Sequence, residues 1–211
     1  VQSWPVWKTA LFWVWNLFWG LCAALGIGLV SLVFAAVIDQ KAMLLSYFQN
    51  PLIAFLNLAP VVLLYFLLYF LLGRAWLSYA LTAAITLGLT MGSWFKLQFR
   101  NDPLMFEDLL LLKEAGNMAG KYQLFLTKTM VLALAALVVG LVFLLFCVRG
   151  RPRARLRLFG FALAVLCALP VWDMTQSDSV YNSRTVNNDL INQWSATQVY
   201  VSKGFVYPFL H

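Results

Sequence analysis

The stretch RNDPLMFEDLLLLKEAGNMAGKY, residues 100–122, interrupts a chain that is otherwise dominated by apolar residues. It contains four of the eight acidic residues of the chain, namely Asp102, Glu107, Asp108 and Glu114. An Asp-Pro pair favours the start of a helix, because the Asp side chain can accept a hydrogen bond from a free backbone N–H and Pro needs no donor in the first turn. The Gly-Asn pair at 116–117 favours a helix end. We therefore expect an α-helix at about residues 102–116.

The pattern of apolar residues in this stretch predicts where the helix lies. On a helical wheel, Met105, Leu109 and Leu112 share one side, while Glu107 and Glu114 lie on the opposite side. The acidic side chains would form the polar face, and that face consists of Asp102, Glu107, Asp108 and Glu114. A helix with this division lies in or against a membrane.

The composition of the whole chain is that of an integral membrane protein. Of its 211 residues, 63% are hydrophobic and 11% are charged, and the mean hydropathy is +0.80. The formal net charge of +7 does not indicate a nucleic-acid partner, because most of the arginines cluster beside apolar runs rather than on a soluble face. We interpret the charge as a signal of membrane topology.

Five apolar runs are candidate membrane spans, at residues 9–38, 51–72, 75–95, 127–148 and 158–172. A helix needs roughly 20 residues to cross the hydrocarbon core. The fifth run would measure only about 22 Å as a helix, and extending it to 156–174 with Arg157 snorkelling restores the length. The predicted fold is an all-α membrane protein of five transmembrane helices, with an extracellular interfacial helix between the third and the fourth.

Small residues indicate where these helices approach one another. The first run has a small residue at every fourth position, at Gly20, Ala24 and Gly28. The third run contains a Gly-x-x-x-Gly pair, Gly88 and Gly92, which we interpret as a second packing face. For Asn16, the strongly polar residue of the first run, a hydrogen bond between helices is favoured over a ligand contact.

The arginine-rich sequence RGRPRARLR, residues 149–157, predicts the orientation of the spans. If this loop is cytoplasmic, five spans place the N-terminus inside, and residues 96–126 and the tail outside. All eight acidic residues then fall outside. The same arginines could also bind anionic lipid headgroups, and the two interpretations do not exclude each other.

The polar tail, residues 173–211, is too short to form a domain with its own core. Its scattered aromatic and aliphatic residues predict that it packs on the outer face of the membrane or on a following domain. We therefore divide the chain into a transmembrane domain, residues 1–172, and an extracellular juncture, residues 173–211. The chain begins with Val1 and without a cleavable signal, so we expect a fragment or a trimmed chain.

Catalytic constellations are not evident in the sequence. The histidine, His211, is terminal, and the three cysteines have no metal-ligand or redox spacing. Glu107 and Glu114 would be about 10 Å apart along a helix axis. We favour a solvated face, or pairing with Lys96, Arg100 or Lys121, over acid–base catalysis for these two side chains.

One segment carries a family resemblance. The sequence KLQFRNDPLMFEDL at 96–109, with KEA at 113–115 and NM at 117–118, resembles the segment after the third span in the lipoteichoic acid synthase and phosphoglycerol transferase family. The five-span architecture and a tail with KGF at 203–205 and PF at 208–209 are similar to the membrane domain of that family.

The resemblance implies a function in the bacterial plasma membrane. In that family a sulfatase-like extracellular domain, with a threonine nucleophile and a divalent metal such as Mn or Mg, transfers glycerol phosphate from phosphatidylglycerol to a polymer or glycan. The present chain would anchor such a domain, its own or a separate one, and would bring no cofactor or catalytic residue. We expect lipid headgroup contacts at Arg100, Lys113 and Lys121. The alternative is a non-catalytic lipid-binding sensor or assembly module.

Overall fold

A computed structural model describes residues 6–36, 44–45, 47–48, 50–100, 102–111, 128–148, 150–177, 180–181 and 196–210. Its elements in chain order are α1 (Val6–Ala35), α2 (Pro51–Leu72), α3 (Ala75–Arg100), the 3-10 helix η1 (Phe106–Leu111), α4 (Lys128–Cys147), α5 (Ala154–Gln176), α6 (Ala196–Lys203) and α7 (Val206–Leu210). Helices α1 to α5 are each long and apolar enough to cross a membrane. This confirms the all-helical class and the five predicted spans.

Three helices form the centre of the bundle. Helices α1, α2 and α3 pack against one another, α4 packs on α1 and α3, and α5 packs on α2. Large apolar side chains cover the outside, for example Leu132, Phe146 and Leu158, which are 69%, 66% and 74% exposed. A surface of this kind is suited to lipid rather than water, because hydrocarbon solvates it without cost.

The small residues of α1 allow α2 to approach closely. A side-chain carbon added at Gly20 would lie 3.1 Å from the Tyr65 hydroxyl, and one added at Gly28 would lie 2.6 Å from a Leu58 methyl carbon. The predicted packing face of the first span is therefore confirmed. The second predicted face stays a prediction: among the described residues no atom lies within 4 Å of a carbon added at Gly88, and the atoms near Gly92 belong to Leu104.

The turn between α2 and α3 also fixes the start of α5. Gly73 ends α2 in the left-handed conformation, with φ of 69°, and its N–H bonds to the carbonyl of Tyr69. The Arg157 guanidinium donates to the carbonyl oxygens of Phe70, at 2.9 Å, and Leu71. Arg157 thus satisfies carbonyls left open at the end of α2, instead of snorkelling to water as the sequence predicted.

Helix α5 is longer than its apolar run. It has 23 residues, which corresponds to about 34 Å and is sufficient to cross a bilayer. It starts in the arginine-rich sequence and continues past Trp172. The short fifth run is therefore a full span.

The stretch that was predicted to be an interfacial α-helix begins differently. Residues 102–105 are not helical, and Phe106–Leu111 is a 3-10 helix. The predicted α-helical start at Asp102 is therefore wrong, and the remainder of the predicted helix, residues 112–116, lies outside the described residues.

Candidate lipid-binding groove

A groove runs between α3 and α5. Among the described residues, these two helices both pack on α2 but make no extended contact with each other. The gap between them is a cavity of about 500 Å³, within the usual size range of ligand sites. From the three spans its lining includes Pro60, Leu64, Leu67, Ile85, Leu89, Ala168, Val171 and Trp172.

The two hydroxyl groups that line the groove are both turned back onto their own helices. The Thr86 hydroxyl donates to the carbonyl of Thr82 at 2.8 Å, and the Thr175 hydroxyl donates to the carbonyl of Trp172 at 2.8 Å. Each therefore presents mainly its methyl group to the cavity. A polar ligand would find few hydrogen-bonding partners in this cavity. A hydrocarbon chain needs none, so its burial there carries no such cost.

The tail closes one end of the groove. Phe205, Val206, Phe209 and Leu210, from the turn between α6 and α7 and from α7, are part of its lining. Helix α7 packs on α5, and Phe205 also packs against the core formed by the central spans. The groove is therefore bounded by three spans and a segment more than 20 residues beyond the last of them.

Asn57 holds the tail in place from within α2. Its side chain is fully buried, and its amide nitrogen donates to the carbonyls of Ile53 at 2.9 Å and Lys203 at 3.0 Å. Its amide oxygen accepts a hydrogen bond from the N–H of Val206 at 3.4 Å. One polar residue in an apolar span thus satisfies backbone groups on both sides of the α6–α7 turn.

Gly204 forms the turn itself. Its φ of 88° lies in the region that favours glycine, and a side-chain carbon there would come within 2.3 Å of both terminal atoms of Asn57. The residue has no room for a side chain, so the tail can approach Asn57 closely only with glycine at this position.

Lys203 is enclosed by aromatic rings beside the groove. It is fully buried, with its ammonium nitrogen 3.9 Å from the ring centre of Tyr207 and 5.9 Å from that of Tyr181. The faces of these rings attract the cation. Burial, and then the neighbouring Tyr207, raise the pKa of Tyr181, so its hydroxyl stays neutral. Lys203 is not part of the groove lining, and the cavity itself remains apolar.

The segment 102–111 lies at the same end of the bundle as the tail. The Phe106 and Phe209 rings meet edge to face, with centroids 6.1 Å apart. Asp108 forms an ion pair with Lys96 at 2.8 Å and accepts the N–H of Met105 at 2.8 Å. Burial alone would raise the pKa of Asp108, but these two hydrogen bonds and the charges of Lys96 and Arg100 hold that pKa below the ordinary value of an aspartate.

The structure describes only some of the residues that were predicted to contact lipid headgroups or to form the polar face of the interfacial helix. Arg100 is the last residue of α3 and is exposed, near enough to Asp108 to influence its ionisation. Asp102 and Glu107 are exposed, whereas Asp108 is half-buried. The other three, Lys113, Glu114 and Lys121, lie outside the described residues.

Sequence reasoning missed the groove and the residues that close it. Neither the anchoring of the tail by Asn57 nor the enclosure of Lys203 was foreseen. An Asn within an apolar run does signal a buried hydrogen bond, but the sequence does not reveal its partner 146 residues away. No protein-family model, curated protein or solved structure matches this chain.

Proposed function

We propose that the groove holds an acyl chain of a membrane phospholipid. We also propose that the protein is the five-span membrane domain of a phosphoglycerol transferase. In this proposal the domain anchors an extracellular catalytic domain and presents phosphatidylglycerol to it. The observation that supports lipid binding is an apolar groove of about 500 Å³ between α3 and α5 that is closed at one end by the tail.

The position of the charges agrees with this role. If the acyl chain enters the groove from the side, between α3 and α5, the lipid would place its headgroup beside the tail, at the end of the bundle where α3 ends. The exposed Arg100 lies at this end, and a guanidinium is well suited to a phosphodiester. We propose that Arg100 contacts the headgroup, and that Lys113 and Lys121, which lie outside the described residues, do so as well.

The assignment to phosphoglycerol transfer rests on the resemblance of residues 96–118 and of the tail to that family. The threonine nucleophile and the divalent metal would belong to the catalytic domain. Here the chain would be a multi-pass protein of the bacterial plasma membrane, with its N-terminus in the cytoplasm and its C-terminus outside. The tail would join the groove to the catalytic domain.

A second candidate is a non-catalytic lipid sensor or assembly module. The contact of the tail with the groove favours it, because a bound acyl chain would touch Phe205 and Phe209 directly. Lipid occupancy could then change how the tail engages a partner. Both candidates require the groove, and only the transferase requires turnover of the lipid headgroup.

Photo-crosslinking tests the groove. Membranes containing the chain receive phosphatidylglycerol with a diazirine on one acyl chain, and we expect crosslinks to peptides from α3, α5 and α7. Ala168→Trp fills the groove and should lower the crosslinking several-fold. Ala162→Trp, on the exposed face of the same helix, is the matched control. Equal crosslinking in both variants would refute lipid binding in the groove.

Headgroup transfer separates the two candidates. Cells that express the intact gene are fed phosphatidylglycerol labelled in its acyl chains, and the release of labelled diacylglycerol is measured. A transferase predicts turnover that falls in Arg100→Gln without loss of membrane insertion. Crosslinking in the groove without any turnover would favour the sensor.

A further inference from the structure

A second cleft lies at the opposite end of the bundle, between the first turns of α1 and the segment that precedes α5. Its volume is about 600 Å³. It is lined by Thr9, Phe12, Trp13, Gly150, Arg151, Arg153 and Leu156. Unlike the groove, this cleft combines two positive charges with aromatic and aliphatic walls, and none of the residues that line it is acidic.

The backbone at Gly150 brings the arginines to this cleft. Gly150 has φ of 107°, and a side-chain carbon there would lie 3.0 Å from the Phe12 ring. Only glycine combines this backbone conformation with so close an approach to α1. The chain after Gly150 therefore runs beside α1, with Arg151 and Arg153 on the rim of the cleft and Phe12 and Trp13 in its wall.

The arginines of this region have different roles. Arg157 is engaged with the carbonyls at the end of α2, and Arg155 is exposed and does not line the cleft. Arg151 and Arg153 are also exposed, but they line the cleft. Their placement gives two guanidinium groups access to one ligand at the level where a span leaves the membrane.

We propose that this cleft binds an anionic phospholipid of the leaflet at that end of the bundle. Arg151 and Arg153 would bind the phosphodiester, because guanidinium groups match the geometry of phosphate oxygens. Phe12, Trp13 and Leu156 would contact the glycerol and the first part of the acyl chains. The apolar wall favours a lipid over a free phosphate ion, and basic sites between membrane helices suit anionic headgroups. The site does not depend on the proposed transferase function.

Native mass spectrometry of the purified full chain tests this site. Each protein is titrated with phosphatidylglycerol and with phosphatidylethanolamine, and Ala168→Trp is present in all of them to remove the groove contribution. Arg151→Gln with Arg153→Gln should lower the affinity for phosphatidylglycerol on the order of tenfold, because two charge-assisted hydrogen-bonding groups are lost. The affinity for phosphatidylethanolamine should change little.

The matched control is Arg74→Gln with Arg155→Gln, which removes the same charge from exposed positions at the same end of the bundle. It should retain nearly full affinity. A third variant, Arg151→Lys with Arg153→Lys, keeps the charge but loses the planar guanidinium, and it should bind with intermediate affinity. Binding of phosphatidylglycerol to this variant would also show that the protein still folds when both arginines are replaced.

Three results would overturn the proposal. Equal loss in the two double Gln variants would mean general attraction to the basic loop, and no loss in either would mean that the cleft does not bind lipid. Inorganic phosphate provides the remaining arm. If phosphate displaces phosphatidylglycerol when the two are present at similar concentrations, the cleft is an anion site without lipid selectivity. That result also contradicts the proposal.

Discussion

At the scale of single residues, polar side chains in the spans are used to fix chain segments that are distant in sequence. Asn57 bonds to backbone on both sides of the α6–α7 turn, and Arg157 bonds to carbonyls at the end of α2. In a low-dielectric interior an unmade hydrogen bond is costly, so each of these side chains has a strong preference for one arrangement. Both residues are polar side chains next to or within apolar runs, and the sequence shows that much. It did not reveal their partners, which depend on the folded chain.

We predict that Asn57→Leu releases the tail. The substitution leaves the Lys203 carbonyl and the Val206 N–H without their partner, at a cost of about 1–3 kcal/mol for each buried group. Amide hydrogen exchange in residues 196–210, measured in lipid nanodiscs, should become faster by an order of magnitude or more. The five spans should remain protected.

Asn16→Leu is the control for this prediction. It makes the same chemical change at another buried Asn, in α1, whereas the hydrogen bonds to the Lys203 carbonyl and the Val206 N–H come from Asn57. Exchange in the tail should remain that of the unsubstituted protein. Unchanged exchange in Asn57→Leu as well would show that the tail is held by its apolar contacts alone.

At the scale of elements, the end of α3 and the segment 102–111 show how tertiary contacts override local sequence signals. The Asp-Pro pair predicted a helix that starts at Asp102. In the structure Asp108 rather than Asp102 accepts a backbone N–H, from Met105, and it is held by Lys96 of α3. The sequence correctly indicated that an aspartate accepts a backbone N–H in this segment. The ion pair with Lys96 of α3 favours Asp108 as that acceptor.

We predict that the order of this segment depends on pH through Asp108. Its pKa is lowered below 3.8 in the folded chain, so its contribution to stability is present above pH 3.8 and is lost as the pH falls through the folded-state pKa. Exchange in residues 102–111, corrected for intrinsic pH effects, should increase as the pH falls through the lowered pKa of Asp108. Asp108→Asn should show fast exchange already at neutral pH.

Glu107→Gln is the comparison for Asp108→Asn. Glu107 is the neighbouring acid and is exposed, so removing its charge should leave exchange in the segment unchanged. If exchange is equally fast in both variants, the net charge of the segment determines its order and the ion pair with Lys96 does not. A pH response that persists in Asp108→Asn would assign the titration to another group.

At the scale of the whole molecule, the spans were predictable and the groove was not. Each span is a property of its own composition, since length and apolarity decide whether a helix crosses a bilayer. The groove arises because α3 and α5 pack on α2 without closing on each other, and because the tail returns to cover one end. Those relations join residues far apart in sequence, and no local pattern encodes them. The orientation in the membrane stays a prediction from the charges.

The orientation can be tested by cysteine labelling. The turn at Gly73 makes α3 run back along α2, and Arg157 places the start of α5 beside the end of α2. The ends of α3 and α5 therefore lie at one end of the bundle, and Arg74 lies at the other. In a background with Cys22, Cys147 and Cys167 replaced by alanine, Glu107→Cys and Asp173→Cys should react with a membrane-impermeant maleimide on intact cells.

Arg74→Cys should react only after permeabilisation, because the arginine-rich end is predicted to face the cytoplasm. All three positions are exposed, so a difference in labelling reports the side of the membrane rather than burial. The reverse pattern would invert the topology and place the tail at the cytoplasmic side, which would contradict an extracellular catalytic partner. Labelling of Glu107→Cys and Asp173→Cys from opposite sides would contradict the fold itself, since the structure places both at one end of the bundle.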